Sequence, residues 1–207
     1  LGVKAHYRGD FPSDLVALHN FQGGYCGVSK VEDDKINICY LADYDAFKKY
    51  KDIEDFRQEV LYANPHLKSI LSKSEMIFEK PLTISQVSFL PKPTVDNHLL
   101  MSGDSAGMIH PLCGNGMGMA IHSAMILSKT ILKNFEKKEF SRSDLEQEYS
   151  TLWTKTFRKR LIAGRLFNAF FAKDNVLGIG LNALTFVPKL LPHLINQTHG
   201  EPFREFE

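Results

Sequence analysis

Residues 98–118 constrain the fold more than any other part of the chain. His98-Leu99-Leu100-Met101-Ser102 is a short apolar stretch with strand character, and it runs directly into Gly103-Asp104-Ser105-Ala106-Gly107. Pro111-Leu112-Cys113-Gly114-Asn115-Gly116-Met117-Gly118 follows and opens a helical pattern that lasts to about Phe135. A carboxylate at the C-terminal end of a strand, here Asp104, is well placed to accept hydrogen bonds from ligand hydroxyls. An ordinary turn or helix cap is the alternative reading of Asp104 taken alone. Glycines allow close approach of backbone to a ligand, and a helix N-terminus presents free N–H groups to electron-rich atoms. Together these features predict a strand–loop–helix cradle for a polyol joined to an electron-accepting ring. Neither GxGxxG nor GxxxxGK(S/T) occurs, so a complete dinucleotide or P-loop site is not encoded here.

The segments before this cradle read as β structure. Val3, Ala5 and Tyr7 alternate with Lys4, His6 and Arg8, the period of a half-buried strand. After the turn at residues 9–13, strands are expected over 15–21, 25–31 and 36–41, joined by Gln22-Gly23-Gly24 and the polar loop 32–35. The expected arrangement is an antiparallel meander of about four strands. Asp52 and Asp55 mark the start of a helix whose apolar side is Phe56, Val60 and Leu61. Asn64-Pro65 ends it or starts a second one across Leu67–Leu71. Residues 82–89 return to strand. Beyond the cradle, Ala120, Ala124 and Ser128 form a small-residue face suited to packing on a sheet, and Met117, Ile121, Met125 and Ile131 are expected core contacts. Ser143 with Glu146 reads as a capping box for a helix over about 144–172, with Leu161, Ile162, Leu166, Phe167, Phe170 and Phe171 as its apolar side. The apolar tail 176–195 is interrupted by Asn182, Thr185, Pro188, Lys189 and Pro192, so helices packed on the body are expected, with interfacial membrane contact as the alternative.

The Gly103–Gly107 segment with Pro111, Gly114, Gly116 and Met117 resembles the GD motif of flavoproteins shaped like p-hydroxybenzoate hydroxylase, nearest to the geranylgeranyl reductase branch. The resemblance implies an α+β fold: an antiparallel substrate-binding sheet, the second FAD-contacting strand–loop–helix, and C-terminal helices. Residues 1–96 would be the sheet with an inserted helix, 97–135 the FAD-binding segment and 136–207 a helical region. It implies that FAD is held by Gly103, Asp104, Pro111, Gly114, Asn115, Gly116 and Met117, with Asp104 on the ribityl hydroxyls. Gln22-Gly23-Gly24-Tyr25-Cys26-Gly27-Val28 resembles the stretch that lines the lipid cavity of geranylgeranyl reductases. That makes Gly24, Tyr25 and Cys26 substrate-side candidates, although Gly27 stands where the family has Trp. Alternation lets only one of Tyr25 and Cys26 face a cavity. The implied function is an FAD-dependent oxidoreductase reducing alkene bonds of a lipid or polyene, with NAD(P)H or another reductant as electron donor. A monooxygenase, a halogenase variant and a non-catalytic lipid-binding module are the alternatives.

No catalytic residue is identified by pattern. His110 and Cys113 are the candidates, each weighed against a loop-closing or packing role. His6, His19 and His98 read as surface or strand residues. The family's N-terminal GxGxxG segment is not present in residues 1–207. A chain opening on Leu1 in what looks like mid-sheet is expected to be a processed or cut form, or a fragment of a longer gene. Its partner would then be the preceding FAD-binding segment of the same protein. Such a piece would be inactive alone, with apolar helices partly uncovered.

A formal net charge of +1 gives no basic stripe for nucleic acid, and the run Lys155, Arg158, Lys159, Arg160 reads as a solvated helix face. The three cysteines are widely spaced, which fits neither a disulfide framework nor a metal cluster. A reducing, cytoplasmic setting is expected, with peripheral membrane contact as the alternative.

Overall fold

The computed structural model describes residues 1–85, 87–171, 186–187 and 189–199. The chain forms two compact units, Leu1–Val87 and Ser88–Glu207, each with its own buried cluster.

The first unit is built on strands β1 (Gly2–Arg8), β2 (Val16–Phe21), β3 (Gly24–Lys30) and β4 (Ile36–Ala42). All pairings are antiparallel, but the order is β2-β3-β4-β1 rather than that of a simple meander. β2 and β3 meet through the two-residue Gln22-Gly23 connection, with Phe21 opposite Gly24. Gly23 has a φ of +80°, which such a tight turn requires. The longer loop 9–15 imposes no hairpin, so β1 crosses to pair with β4, Ala5 opposite Ile38. Two short strands, β5 (Glu75–Met76) and β6 (Leu82–Ile84), add to the far edge of β1. The strand expected over 82–89 is shorter in the structure, Leu82–Ile84, with Ile84 opposite Gly2 of β1.

Period-two alternation sends Val3, Ala5, Tyr7, Cys26, Val28, Ile36, Ile38 and Tyr40 into the core. Lys4 and Cys39, on the opposite face, are exposed. The core face packs with α1 (Tyr44–Phe47), α2 (Ile53–Glu59) and α3 (Pro65–Ser72). α1 was not legible in the sequence. The Asp52 carboxylate accepts the Asp55 N–H at 2.9 Å, the expected start of α2. Asn64 caps α3 by accepting from His66 and Leu67, and Pro65 sits at the first turn, where no N–H is missed. Phe56, fully buried, is ringed by Phe21, Tyr40, Phe47 and Tyr50 at centroid distances of 5.3–6.1 Å.

The second unit begins with a hairpin, β7 (Val95–Asp96) and β8 (Leu99–Leu100). Its turn residues Asn97 and His98 both have positive φ, the signature of a type I′ turn. The strand expected over 98–102 is therefore only two residues long, because His98 is spent on the turn. Helices α4 (Gly116–Phe135), α5 (Arg142–Phe171) and α6 (Leu190–His199) follow. The expected capping box is displaced by two residues: Ser141, not Ser143, accepts the Asp144 N–H, while Glu146 pairs with Arg142 and His98.

Along α5 the residues Leu145, Tyr149, Trp153, Phe157 and Leu161 recur every four positions and are buried. Ile162 and Leu166 are exposed, and the side chains of Phe167, Phe170 and Phe171 lie outside the described residues. So do residues 176–185 of the apolar tail. The basic run on α5 is solvated, except that Arg160 lies over the Phe157 ring at 5.5 Å. On α4 the buried positions are Met119, Ser123, Thr130 and Asn134. Met117 and Ile121, expected in the core, are 83% and 64% exposed, and Ala124 and Ser128 face solvent. The expected inner face was rotated by about one residue, or 100°. Among the described residues no helix is long and apolar enough to cross a membrane.

Candidate functional site

The candidate site is the segment from Ser102 to the first turns of α4. β8 delivers Ser102 to a 3-10 turn at Gly103–Ser105. Gly103 has a φ of +60°, and a Cβ there would stand 3.3 Å from the Ala120 Cβ. Positive φ and close approach both require glycine at this position; Ala120, expected to pack on a sheet, packs on this glycine turn instead. Asp104 is exposed. Its backbone carbonyl accepts from the Lys92 ammonium at 3.0 Å, which leaves the carboxylate for solvent or ligand. The turn packs over the first two turns of α4, so a ligand held by Asp104 is presented to the amino end of that helix.

That amino end is open. Met119 is the first residue of α4 whose N–H finds a backbone acceptor, the Asn115 carbonyl at 3.0 Å, and no side chain caps the helix. The N–H groups of Gly116, Met117 and Gly118 thus have no intrahelical partner. Twenty aligned peptide units add a partial positive charge there. Gly114, with a φ of +65°, and Gly116 both face open space, with no atom within 4 Å of an added Cβ. Room, donors and positive potential coincide at this end of the helix. The donor set fits the electron-rich edge of a flavin ring, and the free Asp104 carboxylate fits a polyol chain.

The other predicted residues are held by the protein. The Asn115 side chain donates to the Thr198 and His199 carbonyls at 3.1 and 3.3 Å, tying the loop to the end of α6. Gly118 makes room for it, since a Cβ there would lie 2.5 Å from Asn115 Oδ1. Pro111 opens a 3-10 turn over Pro111–Cys113. His110 is buried, accepts the Leu112 N–H on Nδ1 and stacks obliquely on Phe89 with centroids 4.6 Å apart. Burial lowers its pKa to about 4, so the ring is neutral at physiological pH and closes the loop. Cys113 is buried and its thiol is pushed up in pKa by burial, the reverse of an activated nucleophile. It packs on Gly164 of α5, where an added Cβ would meet Ile109 at 3.1 Å and Cys113 Sγ at 3.4 Å. Gly164 is thus the seat of this loop.

One residue that organises the site escaped sequence reasoning. Ser123 of α4 is 2% exposed. Its Oγ accepts from the Gly103 N–H at 3.2 Å, the Ser102 hydroxyl at 3.1 Å and the Trp153 indole N–H at 3.0 Å. The Tyr149 hydroxyl lies 3.4 Å away and donates to the Met101 carbonyl. Ser123 therefore pins the glycine turn to both α4 and α5. α4 also carries His122, Ser128, Lys129 and Thr130, so no pattern singled Ser123 out.

In the first unit, Tyr25 and Cys26 point to opposite faces of β3, as alternation requires. Cys26 is fully buried in the core face, where burial pushes its thiol up to about 12. Gly24 is a packing requirement: a Cβ there would stand 2.2 Å from the Leu41 carbonyl and 2.6 Å from the Phe21 ring. All three cysteines are free thiols.

The comparisons follow the same lines. The family model for squalene epoxidase matches residues 47–180, about two thirds of the chain. Conditioned medium factor receptor 1 of Dictyostelium discoideum is 27% identical over 139 residues, 65% of this chain and 26% of that protein. Digeranylgeranylglycerophospholipid reductase of Methanococcus vannielii is 30% identical over 84 residues, 41% of this chain and 21% of that one. The chain thus spans about a quarter of the length of the curated relatives it matches. The flavin-dependent brominase Bmp2 superposes with a TM-score of 0.67 at 17% identity, over 98% of this chain and 50% of that structure, a likeness of fold. The α+β architecture with its antiparallel sheet and GD-type turn is that of part of an FAD-dependent flavoprotein, and the chain belongs to the squalene epoxidase family of FAD-dependent enzymes.

Proposed function

We propose that the protein contributes the second FAD-contacting segment and the substrate-side sheet of an oxidoreductase that acts on a carbon–carbon double bond of an apolar, lipid-like substrate, by oxygen insertion. The observation that carries the reading is the uncapped amino end of α4 above Gly114 and Gly116, in a turn system that leaves Asp104 unpaired. Asp104 would hold the ribityl hydroxyls by charge-assisted hydrogen bonds. The N–H groups of Gly116 and Met117 would favour negative charge on the ring edge. Ser123 and Gly103 would fix the spacing between these two contacts. When bound, the flavin supplies the redox chemistry, and the protein supplies orientation and exclusion of water.

Oxygen insertion is favoured over alkene reduction because the epoxidase family model spans more of the chain than the alignment to the glycerophospholipid reductase. Reduction is the second reading, supported by that 30% identity over 84 residues. NAD(P)H or another reductant would serve as electron donor in either case.

The test uses the complete gene product. Flavin titration followed by fluorescence quenching should give tight binding in the parent and at least about tenfold weaker binding in Asp104→Ala, the loss expected for a hydrogen bond to a charged group. A colourless protein that takes up no FAD refutes the reading. With squalene as probe and a chemical reductant, oxygen uptake matched to an epoxide product supports insertion. A saturated product formed equally well without oxygen selects reduction instead.

A further inference from the structure

A cavity of about 330 Å³ lies within the second unit, between residues 89–92, residues 106–108 and one face of α5. That volume is at the lower end of the range for small-molecule sites. Its floor is closed and apolar. Trp153 and Leu161 are buried and pack on Gly107, where an added Cβ would stand 2.7 Å from the Trp153 ring and 3.1 Å from Leu161. Leu90 and Ile162, both exposed, line its mouth.

Lys92, Arg158 and Arg165 also line this cavity, and no acidic residue does. Among the described residues none of the three takes part in an ion pair, whereas Arg142 of the same helix is paired with Glu146. The Lys92 ammonium donates to the Asp104 backbone carbonyl at 3.0 Å, a neutral acceptor that leaves its other N–H groups for a ligand. All three cations reach solvent: Arg158 is exposed, and Lys92 and Arg165 are half-buried. Thr154, Arg158, Ile162 and Arg165 recur at helical spacing on one face of α5. The two arginines are about 10.5 Å apart along the axis, near enough for both side chains to converge on one group. Like charges gathered around one small cavity repel each other and raise its potential, so an anion is the occupant they favour. A phosphate monoester carries about −1.5 to −2 at neutral pH and takes an arginine fork on two oxygens. A carboxylate brings a single charge. The apolar floor calls for an apolar body behind the head.

We propose that this cavity is a binding site for a phosphate monoester with a short apolar chain or ring. Arg158 and Arg165 hold the phosphate, Lys92 adds its charge, and the apolar body lies on Trp153 and Leu161. None of the residues assigned to the flavin lines the cavity, so the proposal does not depend on the flavin reading.

The test is isothermal titration calorimetry on the complete gene product with octyl phosphate and, in separate arms, inorganic phosphate, octanoate and 1-octanol. Octyl phosphate should bind at least about tenfold tighter than each of the other three, which lack the apolar body, the second charge or the anionic head. Arg158→Gln should weaken octyl phosphate about tenfold. Ile162→Glu sets a carboxylate four residues after Arg158 and three before Arg165, where it supports the helix and takes the anion's place, so it should abolish binding. Lys155→Gln removes an exposed cation of the same helix that does not line the cavity. It should change affinity by less than about twofold. Thermal unfolding of each variant, followed by circular dichroism, should match the parent. Flavin content, read on the same samples, should not change, and its absence from the parent would bear on the flavin reading alone. The proposal is overturned by no heat from octyl phosphate in the parent, or by inorganic phosphate, octanoate or 1-octanol binding as tightly. It is equally overturned by unchanged affinity in Arg158→Gln or Ile162→Glu, or by a loss in Lys155→Gln as large as that in Arg158→Gln.

Discussion

Removing the Ser123 hydroxyl should destabilise the second unit more than most serine substitutions, because two buried donors depend on it. In Ser123→Ala the Gly103 N–H and the Trp153 indole N–H, now 3.2 and 3.0 Å from Oγ, lose their acceptor, the indole in a buried place and the Gly103 N–H in a partly buried one. Each orphaned donor costs about 1–3 kcal/mol, and part of this is recovered by relaxation, so about 2–4 kcal/mol is expected. Trp153 is the single tryptophan of the chain, so its emission in a urea titration reports on this site directly. At about 2 kcal/mol per molar urea the midpoint should fall by about 1–2 M. A double-mutant cycle isolates the cause. Trp153→Phe removes one of the donors, so Ser123→Ala should cost less in that background, with a coupling of about 1–2 kcal/mol measured by circular dichroism. A single-mutant loss below about 0.5 kcal/mol, or additivity within about 0.3 kcal/mol, would refute the view that Ser123 is the pin of the glycine turn.

Gly103→Ala must adopt a φ of +60° and displace Ala120, and should lose about 1–2 kcal/mol, read by the same titration. Phe56→Ala empties the centre of a five-ring cluster and should cost about 3–5 kcal/mol, measured by thermal unfolding of the first unit. His110 is held neutral by burial with a folded pKa of about 4 against about 6.5 unfolded. The unfolded state therefore takes up the proton first. Its contribution is complete above about pH 6.5 and is lost as pH falls towards 4, up to about 3 kcal/mol. His110→Gln should flatten that stretch of the stability–pH curve, and an unchanged slope would contradict the assignment. Native thiol titration with an aromatic disulfide should modify Cys39, which is exposed, well before buried Cys26 and Cys113, and unfolding should release all three.

The local geometry of residues 103–118 was legible because it depends on consecutive residues. A glycine at positive φ, a free carboxylate and an uncapped helix end are all properties of consecutive residues, so pattern alone placed them. The strand alternation of β1, β3 and β4 was legible for the same reason. What was not legible depends on partners distant in sequence. β1 pairs with β4 and not β2 because the loop at 9–15 does not dictate a hairpin, and β6 finds its partner in β1. The inner face of α4 was misjudged because an apolar stripe is normally the buried one. Here the buried stripe carries Ser123, Thr130 and Asn134. Thr130 is satisfied within the helix by the Ile126 carbonyl, but Ser123 and Asn134 draw on α5, which supplies Tyr149 and Trp153 to Ser123 and Glu148 to Asn134 at 3.0 Å. A buried hydroxyl is costly alone and stabilising once satisfied, so the sign of its contribution is set by residues more than ten positions away. The same logic explains why His110 and Cys113 looked chemical in sequence and are structural in space. Both are polar residues in the loop before α4, and both are turned inward, His110 against Phe89 and Cys113 onto Gly164. That leaves the face towards open space to backbone N–H groups and glycine.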